Sequence, residues 1–288
     1  MVSVSSTADL LAALHRAGRI TFCSYVLRPG QVEQALEAAA KRGARVQVRL
    51  DGYLWGGSDE MHDANARAIA ALKSAGADAK LVHLRDDDGP GLHMKAAVCD
   101  GVAFLDDCNW NGGKDAVLRD TGRTHVSAIR RAALQHDVSP KGRLALTKSD
   151  ALDAEAAVIQ RAGRGDEVDV ESEALHDYSA ITGALRKAAK NGAHCRVLVS
   201  ELSAKRDAKT AKAITSLEKA GIDVRTVRSS EKLAIDGRLR AWVGSADATS
   251  TQYDANQIEW SMRSDSSQIV HALESRFNAH WKASAAPS

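Results

Sequence analysis

Apolar and polar positions along this chain switch period repeatedly, and each switch marks a short element. Ser6 to Arg19 has helical spacing, with Ser6 and Asp9 three apart in the pattern of an N-terminal cap. Ile20 to Leu27 is apolar and β-rich, Gln31 to Arg42 is helical, and Arg45 to Leu50 reads as a strand. Asp63 to Ala75 is helical again and Lys80 to Leu84 extended. Gly43 and Gly76 stand where helix C-caps belong, as do Gly192 and Gly221 further on. Ser149 to Arg164 predicts a helix, Glu167 to Leu175 a strand, and Asp265 to Lys282 a last amphipathic helix before a frayed 283–288. Strands alternating with helices predict a layered α/β architecture, whose ligands gather at the carboxyl ends of the strands.

The pattern also repeats. Arg16-Ala17-Gly18-Arg19 is answered by Arg161-Ala162-Gly163-Arg164, and Ala35–Ala44 by Ala184–Ala193. Ala68–Asp78 is answered by Ala213–Asp223, and the offset stays between 145 and 149 throughout. Three blocks in one order predict a duplicated lobe, with one copy over 1–145 and the other over 146–288.

Candidate chemistry follows the Lys80–Leu84 strand. A polar loop, Arg85 to Gly91, leads into Leu92-His93-Met94-Lys95 and on through Asp100-Gly101 to Asn109-Trp110. Asp-Gly between apolar runs predicts a hairpin that presents His93 and Lys95 on one strand and Asn109 at the end of the next. Residues two apart on a strand share a face, so an imidazole would lie beside a fixed cation, an arrangement suited to phosphate. Asp100 is assigned to the turn. Taken singly, a strand histidine is structural and a lone lysine solvated; it is the combination that points to a site.

His93-x-Lys95-x4-Asp100, followed by Asn109 at hairpin distance in a duplicated chain, resembles the HxKxxxxD motif of the phospholipase D superfamily. The resemblance implies two tandem phospholipase D-like α/β/α lobes, a phosphohistidine formed at His93, and Lys95 and Asn109 on the phosphate oxygens. It further implies that neither metal nor cofactor is needed, that an acidic residue, here Asp120, orients the histidine, and that a second histidine from the other lobe protonates the leaving group. The chain departs from the pattern before Asn109, where Asp106-Asp107 replaces the usual Gly-Ser.

Aligning Asp236-Gly237 with Asp100-Gly101 puts Ser229 at the histidine position and Glu231 at the lysine position, with Lys232 on the opposite face. Ser245 survives from the family signature, Asp247 stands for the asparagine, and Glu259 stands where Asp120 does. The second half-site therefore reads as degenerate, with Glu231 or His176 as candidate replacements for the missing proton donor. Tyr53 and Trp55 in the loop after Arg45–Leu50 are candidates to contact substrate or pack between lobes, and Trp110, Trp242 and Trp260 read as core.

Composition narrows the substrate. The chain has 288 residues, 44% of them hydrophobic and 26% charged, with a formal net charge of +2, so no global basic field calls for nucleic acid. No apolar run approaches the roughly 20 residues that span a bilayer, and the start lacks a secretory pattern. Four cysteines without a CxxC pair predict free thiols and a cytoplasmic setting. The expected activity is a metal-independent phosphodiesterase or phosphatidyl-type transferase on a phospholipid or small phosphodiester, with nucleic acid possible, working as monomer or homodimer. Two alternatives remain open: a pseudoenzyme that binds phosphodiesters, and a nuclease joining two intact half-sites in a homodimer.

Overall fold

A computed structural model of the chain describes residues 1–54, 59–84, 91–110, 116–237 and 239–286, apart from the side chains at 59, 60 and 62. Trp55 and the loop 85–90 lie outside the described residues.

The first lobe runs β1 (Val2–Ser5), α1 (Thr7–Arg16), β2 (Arg19–Ser24), α2 (Gln31–Lys41), β3 (Arg45–Asp51), α3 (Asp59–Ser74), β4 (Asp78–Val82), β5 (Ala96–Cys99), β6 (Val102–Asp106), β7 (Val117–Asp120) and α4 (Arg123–Gln135). Ser6 and Asp9 close a reciprocal capping box at the start of α1. The sheet order is β1-β7-β6-β5-β2-β3-β4. β2, β3 and β4 are parallel, whereas β5 runs antiparallel to β2 and to β6. Leu10, Leu14, Leu36 and Leu72 from α1 to α3 pack with Ile20, Phe22 and Val48 in one buried cluster, and α4 lies against β2, β5 and β6. Helices thus cover both faces of the sheet.

The second lobe follows as β8 (Leu144–Thr147), α5 (Lys148–Ile159), β9 (Glu167–Ser172), α6 (Ala180–Lys190), β10 (His194–Ser200), α7 (Glu201–Arg206), α8 (Ala208–Lys219), β11 (Asp223–Val227), β12 (Leu233–Asp236), β13 (Arg240–Gly244), β14 (Ile258–Ser264) and α9 (Ser267–Ala283). Its sheet order is β11-β10-β9-β12-β13-β14-β8. The core joins Leu152, Ile181, Leu185 and Leu217 to Val168, Val170 and Val197. Gly43 and its counterpart Gly192 end α2 and α6 with φ of 91° and 90°, the left-handed turn that favours glycine. The duplication read from the sequence is therefore a duplication of architecture, and the fold is α/β throughout.

Three differences from the sequence reading matter for the site. The compact units are Met1–Lys148 with Asp254–Trp260, and Ser149–Tyr253 with Ser261–Ser288, so a segment late in the chain packs with the first lobe. Leu92 bridges Ile258 in parallel, and Lys148 pairs with Asp254 at 2.5 Å. His93 and Lys95 precede β5 rather than lying on it. Finally, β5 and β6 are closed by Asp100 and Gly101 after the pair Cys99–Val102, whereas β12 and β13 close on Asp236–Arg240, leaving a turn one residue longer. All four cysteines are buried free thiols. No described helix is long and apolar enough to cross a membrane.

Candidate active site

The first lobe gathers its polar groups where β2 and β3 end and β5 begins. Asp100, at φ 52°, accepts hydrogen bonds from Gly18 and Arg19 N–H, which ties the hairpin turn to β2. At the other end of the hairpin, the N–H of Asp106 donates to the Lys95 carbonyl. His93 is held by its own N–H on the Ile258 carbonyl at 2.8 Å.

Around the imidazole the contacts are specific. Glu259 lies 2.8 Å from Nδ1, so Nδ1–H donates to a buried carboxylate and Nε2 keeps its lone pair. The Lys95 ammonium, itself 1% exposed, is 2.9 Å from Nε2 and 3.0 Å from Nδ1. The Tyr25 ring meets the imidazole edge-on at 4.8 Å and lies 5.8 Å from the Lys95 ammonium. Asn109 follows β6, and its buried amide oxygen makes no hydrogen bond. Below it, Asp106 accepts from Trp110 N–H at 2.5 Å and Asp107 from Ala116 N–H at 3.1 Å, so both carboxylates are engaged by backbone. The Trp260 indole donates to the Asp106 carbonyl.

Asp120, expected to orient His93, is engaged elsewhere. Its carboxylate accepts from Gly122 N–H and from His125 Nδ1, each at 2.7 Å, at the start of α4. Glu259 does not stand where Asp120 does. Ala103 pairs with Asp120 and Ala241 with Ser264, so strand register makes Ser264 the counterpart of Asp120.

Register also corrects the second half-site. Ala96 lies opposite Cys23 and Leu233 opposite Glu171, and the Gly244 N–H donates to the Lys232 carbonyl as Asp106 does to Lys95. Lys232, not Glu231, is therefore the counterpart of Lys95, and Ser230, not Ser229, that of His93. The longer turn shifts the alignment by one residue, and a one-residue slip exchanges the two faces of a strand. Lys232 is as buried as Lys95, but its ammonium sits 3.2 Å from Glu173 and 3.5 Å from Asp247, besides a bond to the Ser230 carbonyl. Ser229 accepts from the Glu231 N–H, and Ser245 is buried.

The two candidate proton donors are also placed. Glu231 points to α9, where Arg276 holds both its oxygens, and burial pushes its carboxyl up. His176 accepts from Ser250 N–H at Nδ1 and has Nε2 3.6 Å from Asp207. Among the described residues, Glu171, Glu231 and His280 form one group able to ligate a metal, their ligand atoms within 4.8 Å of one another. His280 pairs with Glu171 and Arg276 with Glu231, so two acids already meet two bases.

Sequence reasoning passed over Tyr25, Glu173 and Glu155. Glu155 is a buried carboxyl on α5, one oxygen without a partner, pushed well above its usual range by desolvation and then by the Asp247 charge. Its signal was present: at the 145-residue offset of this block it falls opposite the core residue Leu10, where helical periodicity asks for an apolar side chain.

Comparison with known proteins follows the same lines. A family model described as "Cardiolipin synthase, PLD-like domain" matches residues 156–281, the lobe with the altered motif. No curated protein matches the chain by sequence. Among solved structures, a phosphatidylserine synthase from Haemophilus influenzae Rd KW20 superposes with a TM-score of 0.70 at 12% identity, covering 99% of this chain and 87% of that one. A polyphosphate kinase from Porphyromonas gingivalis superposes with a TM-score of 0.66 at 15% identity, covering 98% of this chain; the chain spans 47% of that kinase. Residues 156–281 are thus similar to a phospholipase D-like domain, and the whole chain shares the fold of the phosphatidylserine synthase structure.

Proposed function

We propose that the chain cleaves phosphodiesters, as hydrolase or transferase, through His93. The observation that supports this most directly is the imidazole with a carboxylate on Nδ1 and an ammonium at Nε2. Nε2 attacks phosphorus, an N–P bond forms, and the bond to the leaving alkoxide breaks. Glu259 holds the imidazole in the attacking tautomer and stabilises the positive charge it gains. Lys95 moves from Nε2 onto a non-bridging oxygen, and the Asn109 amide donates to another. Donors of this kind each lower the barrier by about a hundredfold to a thousandfold in rate. Water or an alcohol then attacks the phosphohistidine and returns the imidazole. With two fixed donors and a nitrogen nucleophile, the reaction is proposed to need no metal.

The second lobe has serine at the histidine position, so the leaving group departs with little assistance. Esters of acidic alcohols are therefore the fastest substrates. The net charge of +2 favours a phospholipid-type or other small phosphodiester over a nucleic acid polymer. The test is turnover of bis-p-nitrophenyl phosphate in EDTA, with His93→Ala alongside. Chelator-resistant turnover lost in the variant supports the reading; equal release from both proteins removes it.

One observation favours a second reading, a protein that binds phosphodiesters without turnover: Lys232 is neutralised by Glu173 and Asp247. In that case wild type binds the ester at Lys95, and neither protein releases nitrophenol.

A further inference from the structure

A pair of buried polar side chains lies beneath the histidine and is not used by the mechanism above. Asn65, on α3, is 2% exposed and bonds three backbone groups from two loops: its amide donates to the carbonyls of Tyr25 and Asp51, and its oxygen accepts from Leu27 N–H. Asp51 ends β3, is 1% exposed, and accepts from Tyr53 N–H and from Leu92 N–H, each at 2.6 Å. Leu92 is the residue before His93, and Tyr25 is the ring set against the imidazole.

We infer that Asp51 and Asn65 form a bracket whose role is to position His93: Asp51 fixes the backbone entering the histidine, and Asn65 fixes both Asp51 and the tyrosine against its ring. The assignment rests on the proposed role of His93 as nucleophile, but its geometry is independent of turnover.

Three features argue for positioning over plain structural support. Neither residue contributes apolar packing: both are polar side chains whose hydrogen bonds go to backbone groups. Keeping a carboxylate there is unfavourable: burial pushes Asp51 up to about 6 despite its hydrogen bonds to the Leu92 and Tyr53 N–H groups. A neutral acceptor would serve the fold with less penalty. The second lobe, which has no histidine to place, makes that replacement. Counting from the pairs Arg19–Arg45 and Glu167–His194, the counterpart of Asp51 is Ser200.

Two variants of the full-length protein test the bracket. Asp51→Asn keeps the shape and removes one acceptor from the pair of N–H groups; Asn65→Ser leaves the carboxylate and withdraws the amide from both loops. Histidine-selective 15N NMR on substrate-free protein follows the ring nitrogens of His93, assigned by its absence in His93→Gln. The expected result is that His93 resonances shift or broaden in either variant while those of the exposed His271 hold still. With bis-p-nitrophenyl phosphate, kcat falls at least tenfold and KM changes less than threefold. Should Asp51→Asn fail to fold, Asn65→Ser carries the same readout. Unmoved His93 nitrogens in a folded variant overturn the inference. A wild type that turns nothing over overturns the function proposed above and leaves the NMR result to decide this one.

Discussion

Both lobes bury a lysine at the same place in the same hairpin, and only the first sets that lysine against a histidine. Beside Lys95 stand His93 and Tyr25, with Asn109 just after β6; beside Lys232 stand Ser230, Glu173 and Asp247, the residues at the corresponding positions. The second lobe has the cation too. It is surrounded by carboxylates at 3.2 and 3.5 Å, which satisfy it as a phosphate would. The buried ammonium of the second lobe thus meets carboxylates where that of the first meets an imidazole and a ring.

The contrast is broken or sharpened first by the lysines themselves. Lys95→Met is expected to lower kcat/KM about a hundredfold to a thousandfold. Lys232→Met should leave turnover within about threefold and cost only about 1 kcal/mol of stability, because the carboxylates it leaves behind are partly exposed. Parallel turnover assays and thermal melts check this, and equal losses of activity would erase the distinction between the lobes. Next come the two acids. Glu259→Gln should reduce kcat about tenfold to a hundredfold with KM little changed, whereas Asp120→Asn should stay within about twofold and lower stability by about 1 kcal/mol through the lost contacts at α4. The reverse ranking would restore Asp120 as the orienting residue.

A third effect concerns the buried acid of the second lobe. Below pH 4.5 Glu155 is protonated folded or unfolded; as pH rises, the unfolded chain ionises while the folded one resists, so wild type loses stability. Glu155→Leu should therefore stabilise by about 2 kcal/mol at neutral pH, with the gain shrinking toward pH 4 in urea titrations. The smallest effect restores the first lobe's surroundings to the second. Glu173→Tyr combined with Asp247→Asn should raise affinity for inorganic phosphate about tenfold in calorimetry. No change would mean that geometry, not charge, closed the pocket.

Periodicity and the repeat made the strand–helix alternation legible, and the spacing of His93, Lys95 and Asn109 marked the candidate site. What stayed hidden was register. Asp-Gly looks the same at 100–101 and 236–237, but Asp100 is a turn residue with positive φ and Asp236 is the last residue of β12. Only strand pairing tells them apart, and the one-residue difference moved the lysine from Glu231 to Lys232. The partner of His93 was hidden for another reason. Glu259 is 166 residues away, and no local pattern links an imidazole to a carboxylate at that distance. The bracket of Asp51 and Asn65 is hidden in the same way, since it is made of side chain to backbone bonds between loops.

The seven residues 254–260 bring the first lobe Glu259, the Trp260 indole bond and the Asp254 partner of Lys148. A chain severed near position 148 would yield a leading fragment whose histidine has no carboxylate to lean on. Restoring it would require complementation by a fragment that carries the distal strand, so the first lobe's candidate site depends on residues encoded more than a hundred positions downstream.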